Sequence, residues 1–210
     1  MAIRLYGAQT GNSRRAAIAL EEAGISYSVS RVDLRAGEHK TAAFRELNPR
    51  GLVPIMVEEG KAGTGLVVTQ SNAIMFYAAS RSRERLTPDP GQEVALFFDR
   101  LFYFITEVIA PNGSAFALTQ QGNEPGAQFL AARSIEALVQ AEPFLVDAPY
   151  IAGDRFTLAD IAAYTCAFAV RQDLDWSELP LLAPGTQGSV RGQASFAAWQ
   201  LFSAAFFQAP

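Results

Sequence analysis

Apolar and polar positions follow two different patterns in the two parts of this chain. In the first part, short apolar or alternating runs typical of β-strands are separated by segments with the apolar spacing of helices. Strands are predicted at residues 3–6, 27–32, 55–57 and 66–68, and helices at 13–23, 41–47 and 71–79. The order is therefore β-α-β-α-β-β-α, which predicts an α/β domain with a mixed four-stranded sheet.

The second part has no strand pattern. Helices are predicted at 92–118, with a bend near Pro111, and at 125–145, 157–171 and 193–207. The stretch between the two parts is charged and ends in Thr-Pro-Asp-Pro-Gly at 87–91, which is typical of a linker. We therefore predict a thioredoxin-like α/β domain at 1–80, a linker at 81–90 and an all-helical domain at 91–210.

Composition narrows the function classes. The net charge is −4 and the pI about 5.1, which disfavours a nucleic-acid surface. No apolar stretch approaches the roughly 20 residues that span a bilayer, and the N-terminus lacks a signal-peptide pattern. Cys166 is the only cysteine, so no internal disulfide can form, and one histidine gives no metal-ligand cluster. These features predict a cytoplasmic protein without a bound metal.

Two short motifs carry the candidate chemistry. Pro54 precedes an apolar run, as a proline at the start of a strand does, and it holds Val53 in extended geometry. The main-chain N–H and C=O groups of Val53 could then pair with an extended peptide-like ligand. Gln70 and Ser71 precede a predicted helix, and a helix start favours a carboxylate. Together the motifs predict a small acidic peptide as ligand.

These motifs carry a family resemblance. The strings Asn-Pro-Arg-Gly-Leu-Val-Pro at 48–54 and Gln-Ser-Asn-Ala-Ile at 70–74 resemble the glutathione site of soluble glutathione transferases. The string at 150–161, which contains a capping-box variant, is similar to the folding module of that family's helical domain. The resemblance implies a cis bond before Pro54. It also implies glutathione contacts from His39, Lys40, Val53, Pro54, Gln70 and Ser71.

The turn before the first helix bears on the reaction. The string Thr-Gly-Asn-Ser-Arg-Arg at 10–15 resembles the Thr-Pro-Asn-Gly signature of bacterial Nu-class members, with Gly11 in place of Pro and Ser13 in place of Gly. By that resemblance Thr10 and Asn12 are candidate catalytic residues that stabilise the glutathione thiolate. Ser13 is an alternative thiol partner. Asn12 and Ser13 could instead only cap the helix, since both are preferred caps.

The apolar helix predicted at 92–118 leaves two interpretations open. Its aromatic residues surround the helix on almost all sides, so more than one face would be buried. Tyr103 and Phe104 are candidates for an apolar pocket for the second substrate, and packing in the domain core is the alternative.

The resemblance implies a homodimeric glutathione transferase. Bound glutathione would be its co-substrate, and an apolar electrophile, a disulfide or a peroxide would be the partner substrate. Theta-like members place a histidine where His39 lies. Because Gly11 and Ser13 depart from the signature, a non-catalytic binding or regulatory protein with the same fold is the alternative.

Overall fold

The computed structural model describes residues 2–60, 65–83 and 86–182. These residues form two compact units, and the division lies between Leu86 and Thr87. It falls within the stretch predicted as a linker, and the domain bounds at 1–80 and 91–210 stay a prediction. The helix predicted at 193–207 lies outside the described residues.

The first unit has the predicted α/β order and confirms the thioredoxin-like fold. Its elements are β1 (Ile3–Gly7), α1 (Gly11–Glu22), β2 (Ser28–Arg31), a 3-10 turn (Glu38–Lys40), α2 (Ala42–Leu47), β3 (Ile55–Glu58), β4 (Leu66–Val68) and α3 (Ser71–Arg81). The four strands form one sheet in the order β2-β1-β3-β4. β1 is parallel to β2, and β3 is antiparallel to both of its neighbours.

Buried apolar side chains hold the helices on this sheet. Leu5 of β1 and Ile55 and Met56 of β3 are fully buried, and so is the stretch 16–20 of α1. α1 packs against α3. Gly24, which follows α1, has a φ of 66°, so it ends the helix in the left-handed geometry that glycine adopts without strain.

Strand directions bring four loops to one edge of the sheet. β1 and β2 are parallel, so their carboxyl ends lie at the same edge, and the antiparallel β3 begins there. β4 runs against β3 and therefore ends at this edge as well. The segments that carry the candidate site residues of this unit all begin or end at that edge.

The second unit is helical, as predicted. It contains α4 (Gln92–Tyr103), a π-helical segment (Phe104–Ile109), α5 (Ala110–Gln120), α6 (Glu124–Gln140), a 3-10 turn (Glu142–Leu145) and α7 (Leu158–Ala169). The prediction of one helix over 125–145 was wrong in its end, because α6 stops at Gln140 and a 3-10 turn with Pro143 follows. Among the described residues no helix is both long and apolar enough to cross a bilayer.

A buried carboxylate fixes the start of α7. Asp160 accepts hydrogen bonds from the Thr157 N–H at 2.7 Å and the Thr157 hydroxyl at 3.0 Å, and the Thr157 side chain caps the helix in return. Its other oxygen accepts the N–H of Ile151 at 2.8 Å. This confirms the capping box, and the third bond also ties the preceding loop to the helix. Burial raises the pKa of Asp160 to about 6, although these hydrogen bonds oppose the rise.

Candidate functional site

The loop before β3 is shaped by Pro54 and Asn48. The Val53–Pro54 bond is cis, as the family resemblance implied. The buried Asn48 side chain donates to the carbonyl of Leu52 at 2.8 Å and accepts the N–H of Arg50 at 3.1 Å. The Asn48 amide thus stabilises the conformation of this loop through hydrogen bonds to the loop's own backbone.

Val53 lies at the edge of a small apolar cluster and level with the start of α3. Its half-buried side chain packs against the cluster that contains Phe44 and Ile55. Met56 pairs with Val68 in the β3–β4 ladder. Val53 lies shortly before β3, and Ser71 follows β4, so the antiparallel pairing puts both residues at the same edge of the sheet. The structure therefore brings the two predicted ends of the ligand site together at one edge.

The turn with His39 and Lys40 packs against this loop. Gly51 has a φ of 62°, and a Cβ at that position would lie 2.8 Å from the His39 carbonyl oxygen. His39 is half-buried and Lys40 is exposed. The Nδ1 atom of His39 is enclosed and has no hydrogen-bond partner among the described residues. The absence of a side chain at Gly51 thus allows the 3-10 turn to lie close to the Val53–Pro54 loop.

We expect Gly51→Ala to lower the free energy of unfolding by about 3 kcal/mol. Left-handed geometry costs a side-chain-bearing residue about 1–2 kcal/mol, and the backbone of His39 must also move away. Gly37→Ala is the matched control, because Gly37 has a φ of 77° with nothing within 4 Å of the added Cβ. Denaturant melts of both variants measure the difference. Equal losses of unfolding free energy in the two variants would show that the clash with the His39 carbonyl does not destabilise Gly51→Ala.

Hydroxyl groups close the turn that leads into α1. Thr10 caps the helix, since its Oγ1 accepts the N–H of Ser13 at 3.2 Å. Ser13 is buried, and its Oγ accepts the N–H of Ala8 at 3.2 Å and lies 3.0 Å from Thr10 Oγ1. The Ser13 hydroxyl is thus used inside the turn. Thr10 is half-buried and Asn12 is exposed, so these two side chains are the ones that a ligand can reach.

Arg15 is a site residue that the sequence analysis missed. Its side chain is buried, with 2% of the residue exposed. Nη1 donates to Asn12 Oδ1 at 2.8 Å and to Ser71 Oγ at 3.2 Å. The arginine therefore links the start of α1 to the start of α3. Its spacing of three from Asn12 places both on one side of the helix. That spacing, next to the apolar run at 16–20, was the available signal.

The start of α3 offers hydrogen-bond donors and no negative charge. Ser71 is the first helical residue and is 6% exposed. Gln70, at the cap position, is exposed, and its side chain makes no capping hydrogen bond. Neither α1 nor α3 carries an acidic side chain in its first turn. With the positive ends of two helix dipoles and a buried guanidinium, this edge favours an anion.

Comparison with known proteins decides the family. A family profile described as "Glutathione S-transferase, N-terminal domain" matches residues 11–81. Glutathione S-transferase 3 from Zea mays is 32% identical in an alignment of 168 positions that covers 75% of this chain and 73% of the maize protein. The chain belongs to the glutathione S-transferase family.

Two further proteins resemble this glutathione S-transferase family member over most of its length. Disulfide-bond oxidoreductase YfcG from Escherichia coli (strain K12) is 26% identical over 188 residues, 85% of each chain. The crystal structure of a glutathione transferase homolog from Lodderomyces elongisporus, with two GSH per subunit, superposes with a TM-score of 0.80 at 26% identity. It covers 96% of this chain and 99% of that one. These likenesses extend through both units.

In this member of the glutathione S-transferase family, Tyr103 and Phe104 pack within the second unit. The Tyr103 hydroxyl donates to the carbonyl of Ala137 at 2.6 Å, and burial raises its pKa. Phe104 is fully buried, and both rings meet Phe144 edge to face. The core packing that the sequence left open thus accounts for much of both side chains. The described residues contain no group of three or more ligands that could hold a metal ion.

Proposed function

We propose that this protein is a glutathione transferase that binds glutathione along the edge formed by Val53, Ser71 and the start of α1. The observation that carries the proposal is the hydrogen-bonded bridge from Asn12 through Arg15 to Ser71. It joins the predicted thiol-stabilising residue to the predicted carboxylate-binding residue at the edge where the cis Val53–Pro54 bond lies. Membership of the family supports the same ligand.

Each part of glutathione has a partner of suitable chemistry at this edge. Val53 offers main-chain groups to the cysteinyl unit, in the manner of strand addition. Ser71, with Gln70 beside it, receives the γ-glutamyl carboxylate at the positive end of α3. His39 and Lys40 lie on the turn that packs against this loop and are the partners proposed for the glycyl carboxylate.

Activation of the thiol falls to the start of α1. A free thiol has a pKa of about 8.5, and the thiolate is the nucleophile. Hydrogen bonds from Thr10 and Asn12 and the positive end of the α1 dipole stabilise the thiolate and lower that pKa. The Thr10 hydroxyl donates to Ser13 Oγ at 3.0 Å in this structure, so its hydrogen must turn outward before Thr10 can donate to the sulfur. Ser13 then supports the turn and does not touch sulfur.

Two reactions use such a thiolate. In conjugation, it forms a carbon–sulfur bond with an apolar electrophile such as a haloarene, and the carbon–halogen bond breaks to release halide. In disulfide reduction, the glutathione thiolate attacks one sulfur of the substrate disulfide. A mixed disulfide between glutathione and that half of the substrate forms, and the other half leaves as a thiolate. A second glutathione then attacks the glutathione sulfur of the mixed disulfide. This step forms oxidised glutathione and releases the remaining half of the substrate as a thiolate. The relation to a disulfide-bond oxidoreductase and to a homolog that holds two GSH per subunit supports the second reaction.

The finer class of the protein is part of the proposal. The turn with Thr10 and Asn12 supports a Nu-class or theta-like member, and the family supports a homodimer located in the cytoplasm. The pocket for an apolar second substrate would include Tyr103, whose ring is half-buried. Phe104 would support that wall from inside the unit, since it is fully buried.

Binding to immobilised glutathione, followed by turnover with a haloarene, a peroxide and a small disulfide, tests this function. We expect retention and turnover, and about a tenfold weaker affinity for Ser71→Ala, since a hydrogen bond to a charged group contributes about 1.5–3 kcal/mol. Ser80→Ala is the matched control, because Ser80 is exposed near the other end of α3.

Three other results would contradict the proposal in different ways. Retention without turnover would favour a non-catalytic glutathione-binding protein of the same fold. A wild type that does not bind glutathione would remove both interpretations. Equal binding of glutathione by Ser71→Ala and wild type would show that the γ-glutamyl carboxylate does not bind at the start of α3.

A further inference from the structure

A buried guanidinium spans the starts of two helices at the proposed glutathione site. Two of the hydrogen bonds that Arg15 makes are donated from one nitrogen, Nη1, to Asn12 Oδ1 and to Ser71 Oγ. Asn12 is on α1 and Ser71 is on α3. The proposed function gives these two side chains to different groups of the ligand, the central cysteinyl thiol and the γ-glutamyl carboxylate. One arginine therefore contacts both.

The contact with Asn12 fixes which way its amide points. A guanidinium N–H can only donate. The Asn12 atom that faces Arg15 at 2.8 Å must therefore be the carbonyl oxygen. The Nδ2 group, which has only donors, then points away from Arg15. Because Asn12 is exposed, that group is turned toward the open side of the turn. A thiolate is stabilised by such a donor and not by a carbonyl oxygen.

The contact with Ser71 works in the same way. Ser71 Oγ accepts from Arg15 at 3.2 Å, so the hydroxyl hydrogen must point elsewhere. A hydroxyl has one hydrogen to donate. With its oxygen occupied by Arg15, Ser71 presents that hydrogen to an acceptor on its other side. A carboxylate is an acceptor without donors, so it is the group that this orientation suits.

We propose that Arg15 is a positioning residue that turns the donor groups of Asn12 and Ser71 toward the thiolate and the γ-glutamyl carboxylate of glutathione. This inference rests on the proposed function and adds to it the means by which the thiol and the γ-glutamyl carboxylate are recognised at once. Arg15 acts through its two partners, and the ligand touches those partners.

Other charges near Arg15 would not give the same effect. The charged residues of α1 are Arg14, Arg15, Glu21 and Glu22, and the one charged residue of α3 is Arg81. Glu21 and Glu22 end α1, and Arg81 ends α3, so these three lie far from the two helix starts. Arg14 adjoins Arg15 and carries the same charge, so replacing it lowers the positive charge here while the two hydrogen bonds of Arg15 stay in place. A general loss of positive charge can therefore be separated from the loss of orientation.

The thiol end is tested by a double-mutant cycle between Arg15→Met and Asn12→Ala. The measurement is the pKa of the bound glutathione thiol, from the ultraviolet absorbance of the thiolate against pH. We expect Arg15→Met to raise that pKa by about one unit, and to raise it little further when Asn12→Ala is already present. Additive shifts, or an unchanged pKa in folded Arg15→Met, would overturn the proposal. Arg14→Met is the matched control for the loss of charge.

The carboxylate end is tested with S-methylglutathione, which has no thiol to ionise. Arg15→Met should bind it about tenfold more weakly than wild type does. In the Ser71→Ala background, Arg15→Met should lower the affinity for S-methylglutathione little further. Arg15→Lys should restore part of the affinity, because the ammonium also donates without accepting. An equal loss with and without Ser71 would show that Arg15 does not act through that hydroxyl.

A measurement on the wild type keeps the inference testable if Arg15→Met does not fold. The side-chain amide protons of Asn12 should shift in the NMR spectrum as the thiol of bound glutathione titrates, since Nδ2 faces the sulfur. Chemical shifts of the Asn12 amide protons that do not change as the thiol titrates would overturn the inference. A wild type that fails to bind glutathione would instead remove the proposed function, so the two failures are distinguishable.

Discussion

Asp160→Ala is expected to lower the free energy of unfolding of the helical unit by about 3 kcal/mol at pH 7. The carboxylate accepts hydrogen bonds from the N–H of Ile151 and from the N–H and hydroxyl of Thr157, all in the buried start of α7. Alanine leaves these donors without an acceptor, and each buried unsatisfied group costs about 1–3 kcal/mol. The cost of burying the charge in the wild type offsets part of that sum. Chemical denaturation followed by circular dichroism measures the loss.

The pH dependence of this loss has a definite sign. Burial raises the pKa of Asp160 from 3.8 to about 6 in the folded protein. A carboxyl with a raised folded pKa adds most stability below 3.8 and loses that contribution as the pH rises through 6. The difference between wild type and Asp160→Ala should therefore be larger near pH 4 than near pH 7.

Asp154→Ala is the control, because Asp154 is an exposed carboxylate in the preceding loop. Its stability should stay within about 0.5 kcal/mol of the wild type. A difference for Asp160→Ala that grows as the pH rises would mean that hydrogen bonding to the ionised form outweighs burial. A loss no larger than that of Asp154→Ala would mean that the buried carboxylate does not hold the start of α7.

Asn12→Ala is expected to raise the pKa of the bound glutathione thiol by about one unit and to lower kcat/KM by about tenfold near neutral pH. One pKa unit corresponds to about 1.36 kcal/mol of lost thiolate stabilisation. Asn12 is exposed and its oxygen is held by Arg15, so its amide donors are available to sulfur. Absorbance of the bound thiolate and steady-state rates measure the two effects.

Gln9→Ala and Thr10→Val separate the candidate partners of the thiol. Gln9 is an exposed neighbour in the same turn, and its removal should leave the thiol pKa unchanged. Thr10→Val removes the hydroxyl that caps α1 while keeping the shape of the side chain. A larger pKa rise in Thr10→Val than in Asn12→Ala would make Thr10 the main partner. An unchanged pKa in both variants would exclude each of them.

The parts of the site that the sequence predicts are those fixed by local geometry. Pro54 limits the backbone before a strand, and Ser71 opens a helix, so both can be placed from their neighbours alone. Arg15 could not be placed in this way. Its burial depends on the packing of α1 against α3, which brings together residues that are far apart in the chain. An arginine near a helix start is more often solvated, and the spacing of three from Asn12 beside the apolar run at 16–20 does not by itself establish burial.

Long-range packing also explains what the sequence left undecided elsewhere. The alternatives for Ser13 were a thiol partner or a cap, and its contact with the N–H of Ala8 depends on how the turn folds back. A π-helical segment lies just before Pro111, near which the sequence predicts a bend. The carbonyl of Val108 in that segment accepts the hydroxyl of Ser134 at 2.9 Å. A partner on α6 thus shares in stabilising the irregular turn.

The π-helical segment has a consequence for how this helix is compared with those of relatives. Its wider turns take up more residues than α-turns, and one additional residue rotates every later side chain by about 100°. α4 can therefore face α7 while α5, on the same continuous rod, faces α6. A helical wheel drawn through 92–120 as a single α-helix would assign the wrong side to every residue beyond Ile109. An alignment of helix phase must reset its count at that point.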